Sequence, residues 1–297
     1  MRALLVYKKS TYQLYVVERR SARVQDLLQK DDPSVRALHE AHEIHTLALE
    51  RVSASLGRAG YEVHRTYRAR LGRLDGFDLI VPVGGDGTLL DVSHHLRAPI
   101  PVLGVNSDPG RSVGMLAGAK VDNLDAMLAQ VRAGEVEALG VTRLELRLDG
   151  EMQGVLALND VLVTQRNPAA MSRYLLATGA HEESQMGSGL WVASAVGSTA
   201  AIRSAGGVVQ PIGEDRLQFR VREPYGVRDN MLLTAGFLAP EQTLRVHSTM
   251  REGRIYVDGP HVRFDFPLGC QLQIRAVPRS LHLFLSEAAI ARRNALA

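Results

Sequence analysis

The sequence predicts an N-terminal parallel-sheet α/β domain, a C-terminal β-rich domain, and a C-terminal helix that returns to the first domain. Apolar runs alternate with helical periodicity up to Gly134, and short strands with alternating polarity begin near Thr142. The first pattern is typical of a parallel sheet covered by helices, and the second of antiparallel β structure. The predicted segments are 1–134 (α/β), 135–280 (β-rich) and 281–297 (returning).

In the first domain, short apolar runs rich in β-branched residues predict strands, and stretches with helical spacing predict helices. Asp32 and Pro33 have the residue types of a helix cap and a first helical turn, so we expect a long helix to begin there. The predicted elements are strands at 3–7, 61–66, 78–83 and 100–105, and helices at 33–56, 88–96 and 123–132, the last ended by Gly134.

The second domain contains little helical signal apart from a short stretch near Ser198. In the run that begins at Thr142, Leu144, Leu146 and Leu148 alternate with charged residues, as in a half-buried strand. The predicted strands are 142–148, 152–164, 174–178, 216–221, 231–237, 243–247, 254–257 and 271–276, followed by a helix at 286–297.

Composition excludes several classes of protein. The chain has 297 residues, 45% of them hydrophobic, enough for a large core. Lys and Arg total 35 against 32 Asp and Glu, a net charge of +3 that is too balanced to indicate a nucleic-acid partner. Cys270 is the only cysteine, and no apolar run reaches membrane-spanning length. We therefore expect a cytoplasmic protein with no membrane partner.

The most informative motif is Gly84-Gly85-Asp86-Gly87-Thr88, which joins a predicted buried strand to a predicted helix. Glycines permit a sharp turn and the close approach of phosphate oxygens, and a helix N-terminus favours anions. A carboxylate at this position repels phosphate unless it holds a metal ion or accepts a proton. The motif therefore points to phosphoryl transfer to a hydroxyl group.

Three further stretches place polar or small residues where we expect strand ends or tight loops. Asn106 follows a predicted strand, and Asn159 with Asp160 interrupts another. The stretch 197–207 combines glycines, hydroxyls and alanines, and such small side chains permit close approach of a flat ring or a phosphate. Each of these signals is weak by itself.

Taken together, in this order and spacing, the four stretches resemble the NAD kinase family over most of the chain, and most closely the branch of the animal mitochondrial enzyme. The resemblance implies transfer of a phosphoryl group from ATP, or another donor, to the 2′-hydroxyl of the adenosine ribose of NAD, giving NADP. It implies NAD and ATP as substrates, Mg²⁺ brought by ATP with no protein ligand assigned to it, and a homodimer or homotetramer.

The resemblance also implies roles for individual residues. Asp86 would act on the acceptor hydroxyl as general base or through Mg²⁺. The donor phosphates would be held by Gly84, Gly85, Gly87 and Thr88. NAD would be bound by Asn106, Asn159, Asp160, Ser188, Thr199, Ala200 and Ser204.

Two departures from the family pattern leave alternatives open. Ser188 stands where an aspartate is usual, and Ala201 where an aromatic residue is frequent, so Trp191 and Arg203 are candidates to compensate for the lost contacts. The alternatives are a lipid or sugar kinase with the same glycine motif, or a nucleotide-binding regulator without catalysis. We interpret the histidines His39, His42 and His45 as one solvated helix face rather than a metal site.

Overall fold

A computed structural model describes residues 1–226 and 232–296 of the chain. The chain divides into two units, each with its own hydrophobic core. The first unit comprises Met1–Ala138 and Leu283–Ala289, and the second comprises Leu139–His282 and Ile290–Ala297. The first is α/β and the second is β-rich, which confirms the predicted fold class.

The first unit contains a five-stranded sheet in the order β2-β1-β3-β4-β5, whose neighbouring strands all pair in parallel. All six residues of β3 are buried, as expected for a central strand covered by helices on both faces. The strands are β1 (Arg2–Tyr7), β2 (Glu62–Tyr67), β3 (Leu79–Gly84), β4 (Val105–Asn106) and β5 (Ala119–Lys120). The helices are α1 (Ala22–Gln29), α2 (Leu38–Arg58), α3 (Asp86–His95) and α4 (Leu124–Ala133).

The second unit contains two six-stranded sheets, in the orders β10-β9-β14-β17-β6-β7 and β13-β12-β11-β8-β15-β16. Apolar side chains from both sheets form one core. The strands are β6 (Leu139–Leu148), β7 (Glu151–Ala157), β8 (Asp160–Gln165), β9 (Ser172–Thr178), β10 (His181–Gly187), β11 (Gly189–Ala193), β12 (Leu217–Arg222), β13 (Ala235–Leu238), β14 (Thr243–Ser248), β15 (Gly253–Val257), β16 (Val262–Phe266) and β17 (Gln271–Leu283). The helix of this unit is α5 (Ala201–Ser204), and the last helix of the chain, α6 (Glu287–Asn294), belongs to it from Ile290 onward.

Several predicted elements differ from those observed in the first unit. The helix predicted at Asp32 begins at Leu38, because the Asp32 carboxylate accepts hydrogen bonds from the backbone and hydroxyl of Ser34 and closes a turn there. The strand predicted at 100–105 is reduced to Val105–Asn106, with two isolated bridges at Val102, to Ile80 and Leu283.

In the second unit, the strand predicted at 152–164 is two strands, β7 and β8, separated at Leu158 and Asn159. The strands β10, β11 and β16 have no counterpart in the prediction. Residue 231 of the strand predicted at 231–237 lies outside the described residues, and β13 begins at Ala235.

The C-terminal segment does not belong to one unit throughout. Leu283–Ala289 groups with the first unit, whereas the residues from Ile290 group with the second. The physical reason is Arg293, which is buried and donates hydrogen bonds to the carbonyls of Ala195 and Val196 in that unit.

Candidate functional site

The candidate site of the first unit lies where its parallel strands end. Tyr7 of β1 is opposite Tyr67 of β2 and Val83 of β3, and Gly84 is opposite Asn106 of β4. The residues that follow these strands therefore emerge at one edge of the sheet, where open α/β sheets bind ligands. The predicted residues at this edge are Gly84, Gly85, Asp86, Gly87, Thr88 and Asn106, so the structure brings them together.

The glycine turn has no room for side chains at its first two positions. Gly84 has a φ of +155°, and a Cβ atom there would lie 2.5 Å from Thr88 Oγ1. A Cβ atom on Gly85 would lie 2.7 Å from Ser112 Oγ. Helix α3 begins directly after these glycines, so the positive end of the helix dipole lies beside the turn. Thr88 Oγ1 is buried and has no hydrogen-bond partner among the described residues.

Both oxygens of the Asp86 carboxylate accept backbone hydrogen bonds, from Met115 N–H at 3.0 Å and Leu116 N–H at 2.9 Å. The buried Asn106 holds the same loop, donating from Nδ2 to the Ser112 carbonyl at 2.8 Å and accepting from the Asp108 N–H at 3.1 Å. Asp86 therefore anchors the loop after β4. A carboxylate has about four lone-pair sites, so it retains capacity for a ligand.

Sequence reasoning missed the cations around this turn. Lys8 follows β1, and its Cδ lies 3.6 Å from the position of a Cβ on Gly84. Arg68 follows β2, and its Nη1 lies 3.8 Å from the corresponding position on Gly87. Lys8 and Arg68 each follow one of two neighbouring parallel strands, and this position in the chain was the signal that could have found them. Arg68 forms an ion pair with Asp91 at 3.0 Å.

The interpretation of three histidines as a solvated helix face is wrong for His45. His45 is buried, and its ring nitrogens lie 3.0 Å from Ser107 Oγ and 2.8 Å from the Lys8 carbonyl oxygen. Burial lowers its pKa, which favours the neutral ring. His45 therefore fixes the ends of β1 and β4 relative to α2, whereas His39 is exposed.

In the second unit, Asp258 organises the Asn159-Asp160 pair. Its carboxylate accepts backbone N–H bonds from Leu158 at 2.7 Å, Asn159 at 2.7 Å and Asp160 at 3.0 Å. The residue has a φ of +49°, in the turn after β15. These bonds account for the break between β7 and β8, because the chain there turns around the carboxylate.

Asp160 is a buried acid. Within residues 1–226 and 232–296, no hydrogen-bond partner reaches its side chain. Burial, and then the negative charge of Asp258, raise its pKa to about 7. An ionised carboxylate in this setting favours a ligand that donates hydrogen bonds, such as a hydroxyl or an amine.

The raised pKa predicts how Asp160 affects stability. Because the folded-state pKa is above the ordinary value of 3.8, this group costs no stability below about pH 4, and its cost grows as the pH rises towards 7. We expect Asp160→Asn to unfold at higher denaturant concentration than the parent protein at pH 8, with the advantage vanishing near pH 4. Urea titrations at both pH values measure this.

Asp149→Asn is the control, because its expected effect on stability has the opposite sign. Hydrogen bonds from the Gln271 backbone and from Cys270 lower the pKa of Asp149, so its contribution is present above the unfolded pKa. Asp149→Asn should therefore lower the free energy of unfolding at pH 8. If the urea midpoint of Asp160→Asn changes with pH as much as that of the parent protein, the raised pKa of Asp160 is contradicted.

The small-residue loop packs directly on the Asn159 backbone. A Cβ on Gly197 would lie 1.9 Å from the Asn159 carbonyl oxygen, so only glycine fits. Arg293 holds the loop from the other side, and donates to Ser198 Oγ at 2.9 Å and Thr199 Oγ1 at 3.0 Å. Arg293 was absent from the predicted residues, and no pattern in the sequence marks it.

The remaining predicted residues of the second unit are Ser188, Ala200 and Ser204. The Ser188 hydroxyl donates to the Glu223 carboxylate, in the corner between β10 and β11. Ala200 is half-buried at the start of α5, and Ser204 is exposed at its end. Of the two proposed compensating residues, Trp191 has the Arg222 guanidinium 5.7 Å from its ring centre, and Arg203 donates to the Leu296 carbonyl.

Neither a metal-binding cluster nor a membrane span occurs in the described part of the chain. No group of three or more His, Cys, Asp or Glu side chains there is arranged to hold a metal ion. None of its helices combines the length and the apolar character needed to cross a bilayer.

The chain is similar to kinases of known name. A family model for the ATP-NAD kinase N-terminal domain matches residues 13–136. A probable NADH kinase of Oryza sativa subsp. japonica is 38% identical over 232 residues, which cover 71% of this chain and 71% of the rice protein.

Two solved structures resemble the chain over nearly its whole length. An NAD kinase from Archaeoglobus fulgidus, in complex with ATP, matches with a TM-score of 0.71 and 25% identity, and covers 98% of this chain and 96% of that one. Yeast NADH kinase complexed with NADH matches with a TM-score of 0.68 over 99% of this chain and 86% of that one. At 18% identity, the yeast structure supports the fold alone.

Proposed function

Because the chain belongs to the NAD kinase family, we propose that it transfers the γ-phosphoryl group of ATP to the 2′-hydroxyl of the adenosine ribose of NAD, giving ADP and NADP. The observation that carries this proposal is the position of Asp86 in the first turn of α3, directly after two glycines that leave no room for side chains. Phosphoryl transfer depends mainly on positioning and charge neutralisation, so one carboxylate beside a phosphate-binding turn is a sufficient core.

On the donor side, the glycine turn and the N-terminus of α3 hold phosphate oxygens, and the buried Thr88 hydroxyl faces Gly84. The 2′-oxygen attacks the γ-phosphorus as the bond to the β-γ bridging oxygen breaks, and ADP leaves with that oxygen. Asp86 takes the hydroxyl proton. Its two backbone hydrogen bonds fix the carboxylate so that little reorganisation is needed.

On the acceptor side, Asn159 and Asp160 bind ribose hydroxyls or the adenine ring. The unpartnered, buried carboxylate of Asp160 supports this role, because a bound hydroxyl would supply the missing donor. Thr199, Ala200 and Ser204 line the adenine pocket, where small side chains permit close approach of a flat ring.

Mg²⁺ enters with ATP in this proposal. When bound, the ion would neutralise negative charge on the phosphate oxygens, which is its usual role in phosphoryl transfer. Asp86 is the carboxylate of the glycine turn, and its remaining lone pairs fit an oxygen-preferring cation.

The test is a phosphorylation assay with the purified full chain, Mg²⁺ and ATP. We expect NAD to be converted to NADP in a Mg²⁺-dependent reaction, measured by separating the nucleotides chromatographically. NADH is assayed beside NAD at equal concentration, and the ratio of kcat/KM values identifies the preferred acceptor.

Other outcomes would contradict the proposal. Phosphorylation of diacylglycerol or a sugar, with NAD and NADH left unchanged by ATP, other nucleoside triphosphates and polyphosphate, would indicate a kinase of another acceptor. Binding of NAD without turnover with any donor would indicate a regulator. A kcat/KM ratio favouring NADH would correct the acceptor while leaving the reaction class intact.

A further inference from the structure

The cavity beside the glycine turn contains a lysine that the proposed mechanism does not use. We propose that Lys8 binds the phosphate chain of the donor, and that this cavity, named here the Lys8 cavity, receives phosphate groups of the donor. The inference rests on the proposed kinase function and adds a binding residue and a subsite to it. The polar lining of the Lys8 cavity includes Lys8, Thr11, Gly85, Asp108, Arg111 and Ser112.

Strand pairing brings Lys8 to the turn. Tyr7 of β1 is opposite Val83 of β3, so the next residue, Lys8, emerges beside Gly84. The Lys8 Cδ lies 3.6 Å from the position that a Cβ on Gly84 would take. A Cβ atom at Gly84 would clash with Thr88 in the first turn of α3 and would touch the Lys8 side chain at an ordinary contact distance. The lysine side chain passes close to the backbone that is proposed to hold the donor.

Among the described residues, no carboxylate forms an ion pair with the Lys8 ammonium. Lys9, its neighbour, forms an ion pair with Glu18 at 2.6 Å. In the described part of the chain, Lys8 has no ion pair or hydrogen bond through its ammonium. Burial and the nearby Arg68 lower its pKa, whereas Asp108 raises it. An anion in the Lys8 cavity would replace the water that burial removes and would balance the charge.

The Lys8 cavity also has the size and polarity for phosphate. Its volume is about 150 Å³. A cavity of about 150 Å³ elsewhere holds a benzene molecule, which is comparable in size with a phosphoryl group. Thr11 and Ser112 contribute hydroxyls, which donate to phosphate oxygens, as does an ammonium. The one carboxylate of the lining, Asp108, accepts from Arg111 at 3.0 Å, which reduces its repulsion of an anion.

Binding measurements without acceptor test the inference independently of turnover. Isothermal titration calorimetry would measure ATP, inorganic tripolyphosphate and adenosine against the full-length parent protein, Lys8→Met, Lys8→Arg and Lys9→Met. We expect Lys8→Met to weaken ATP and tripolyphosphate by about 10- to 100-fold, as for loss of a hydrogen bond to a charged group. Lys8→Arg should recover part of the affinity. Adenosine should bind equally to all four proteins.

Lys9→Met is the matched control, because it removes the same charge one residue away. Its affinities should stay within about twofold of the parent protein, because its ammonium is already paired with Glu18 in a partly exposed ion pair. Thermal unfolding confirms that each variant is folded.

The possible results separate the inference from the proposed function. If the parent protein phosphorylates NAD but Lys8→Met binds ATP and tripolyphosphate unchanged, the inference fails and the function stands. If neither NAD nor NADH is phosphorylated but tripolyphosphate binding depends on Lys8, the function fails and the phosphate subsite stands. Equal weakening by Lys8→Met and Lys9→Met would also overturn the inference, since it would reflect net charge alone.

Discussion

Asp86→Asn is expected to lower kcat by about 10²–10⁴-fold, the contribution typical of a positioned general base. The amide cannot take the acceptor proton, and it is a weak ligand for a cation. It also replaces an acceptor by a donor opposite the Met115 or Leu116 N–H, so one hydrogen bond of the loop is lost. We therefore expect a folded protein with a modestly lower melting temperature, measured beside steady-state kinetics.

A second variant separates proton transfer from loop anchoring. Asn106→Ala removes both side-chain bonds from Asn106 to the same loop but leaves the Asp86 carboxylate in place. If Asp86 acts on the reacting hydroxyl, kcat in Asn106→Ala should fall far less than in Asp86→Asn. Comparable losses in both variants would assign Asp86 to loop positioning, and an effect confined to KM would assign it to ligand binding.

The part of the candidate site in the first unit could be predicted because it depends on residues that are adjacent in the sequence. An apolar run, then glycines, then helical periodicity marks a strand-turn-helix, and a parallel sheet gathers the ends of its strands at one edge. The same rule, applied to the ends of β1 and β2, would have placed Lys8 and Arg68 beside the glycine turn. What the pattern alone did not supply was the order of the strands, since β1 lies between β2 and β3.

The second-unit contacts were harder to predict because they join residues far apart in the chain. Asp258 bonds to the backbone of Asn159, 99 residues away, and Arg293 bonds to that of Val196, 97 residues away. A carboxylate before a glycine and an arginine in a terminal helix are common, so neither stands out locally. His45 illustrates the same limit, because its burial depends on packing against Ser107 rather than on helical spacing.

Arg293 provides the prediction with the largest expected effect on stability. Its guanidinium is buried and donates to the carbonyls of Ala195 and Val196 and to the hydroxyls of Ser198 and Thr199. Burial lowers its pKa to about 10, so the group remains charged at neutral pH. Arg293→Met would leave several buried acceptors unpaired, at about 1–3 kcal/mol each before they relax. We expect the free energy of unfolding to fall by about 3–5 kcal/mol.

Arg292→Met is the matched control, since it removes the same charge from an exposed neighbour in α6 and should change stability by no more than about 0.5 kcal/mol. Arg293→Lys keeps the charge but loses the planar fork that reaches several acceptors at once, so it should fall between the two. Urea unfolding of the three variants gives the comparison. Because Arg293 holds the loop that carries Thr199, Arg293→Lys should also raise the KM for NAD more than the KM for ATP. Equal stability of Arg293→Met and Arg292→Met would show that the loop is held by Asn159 and its own backbone rather than by Arg293.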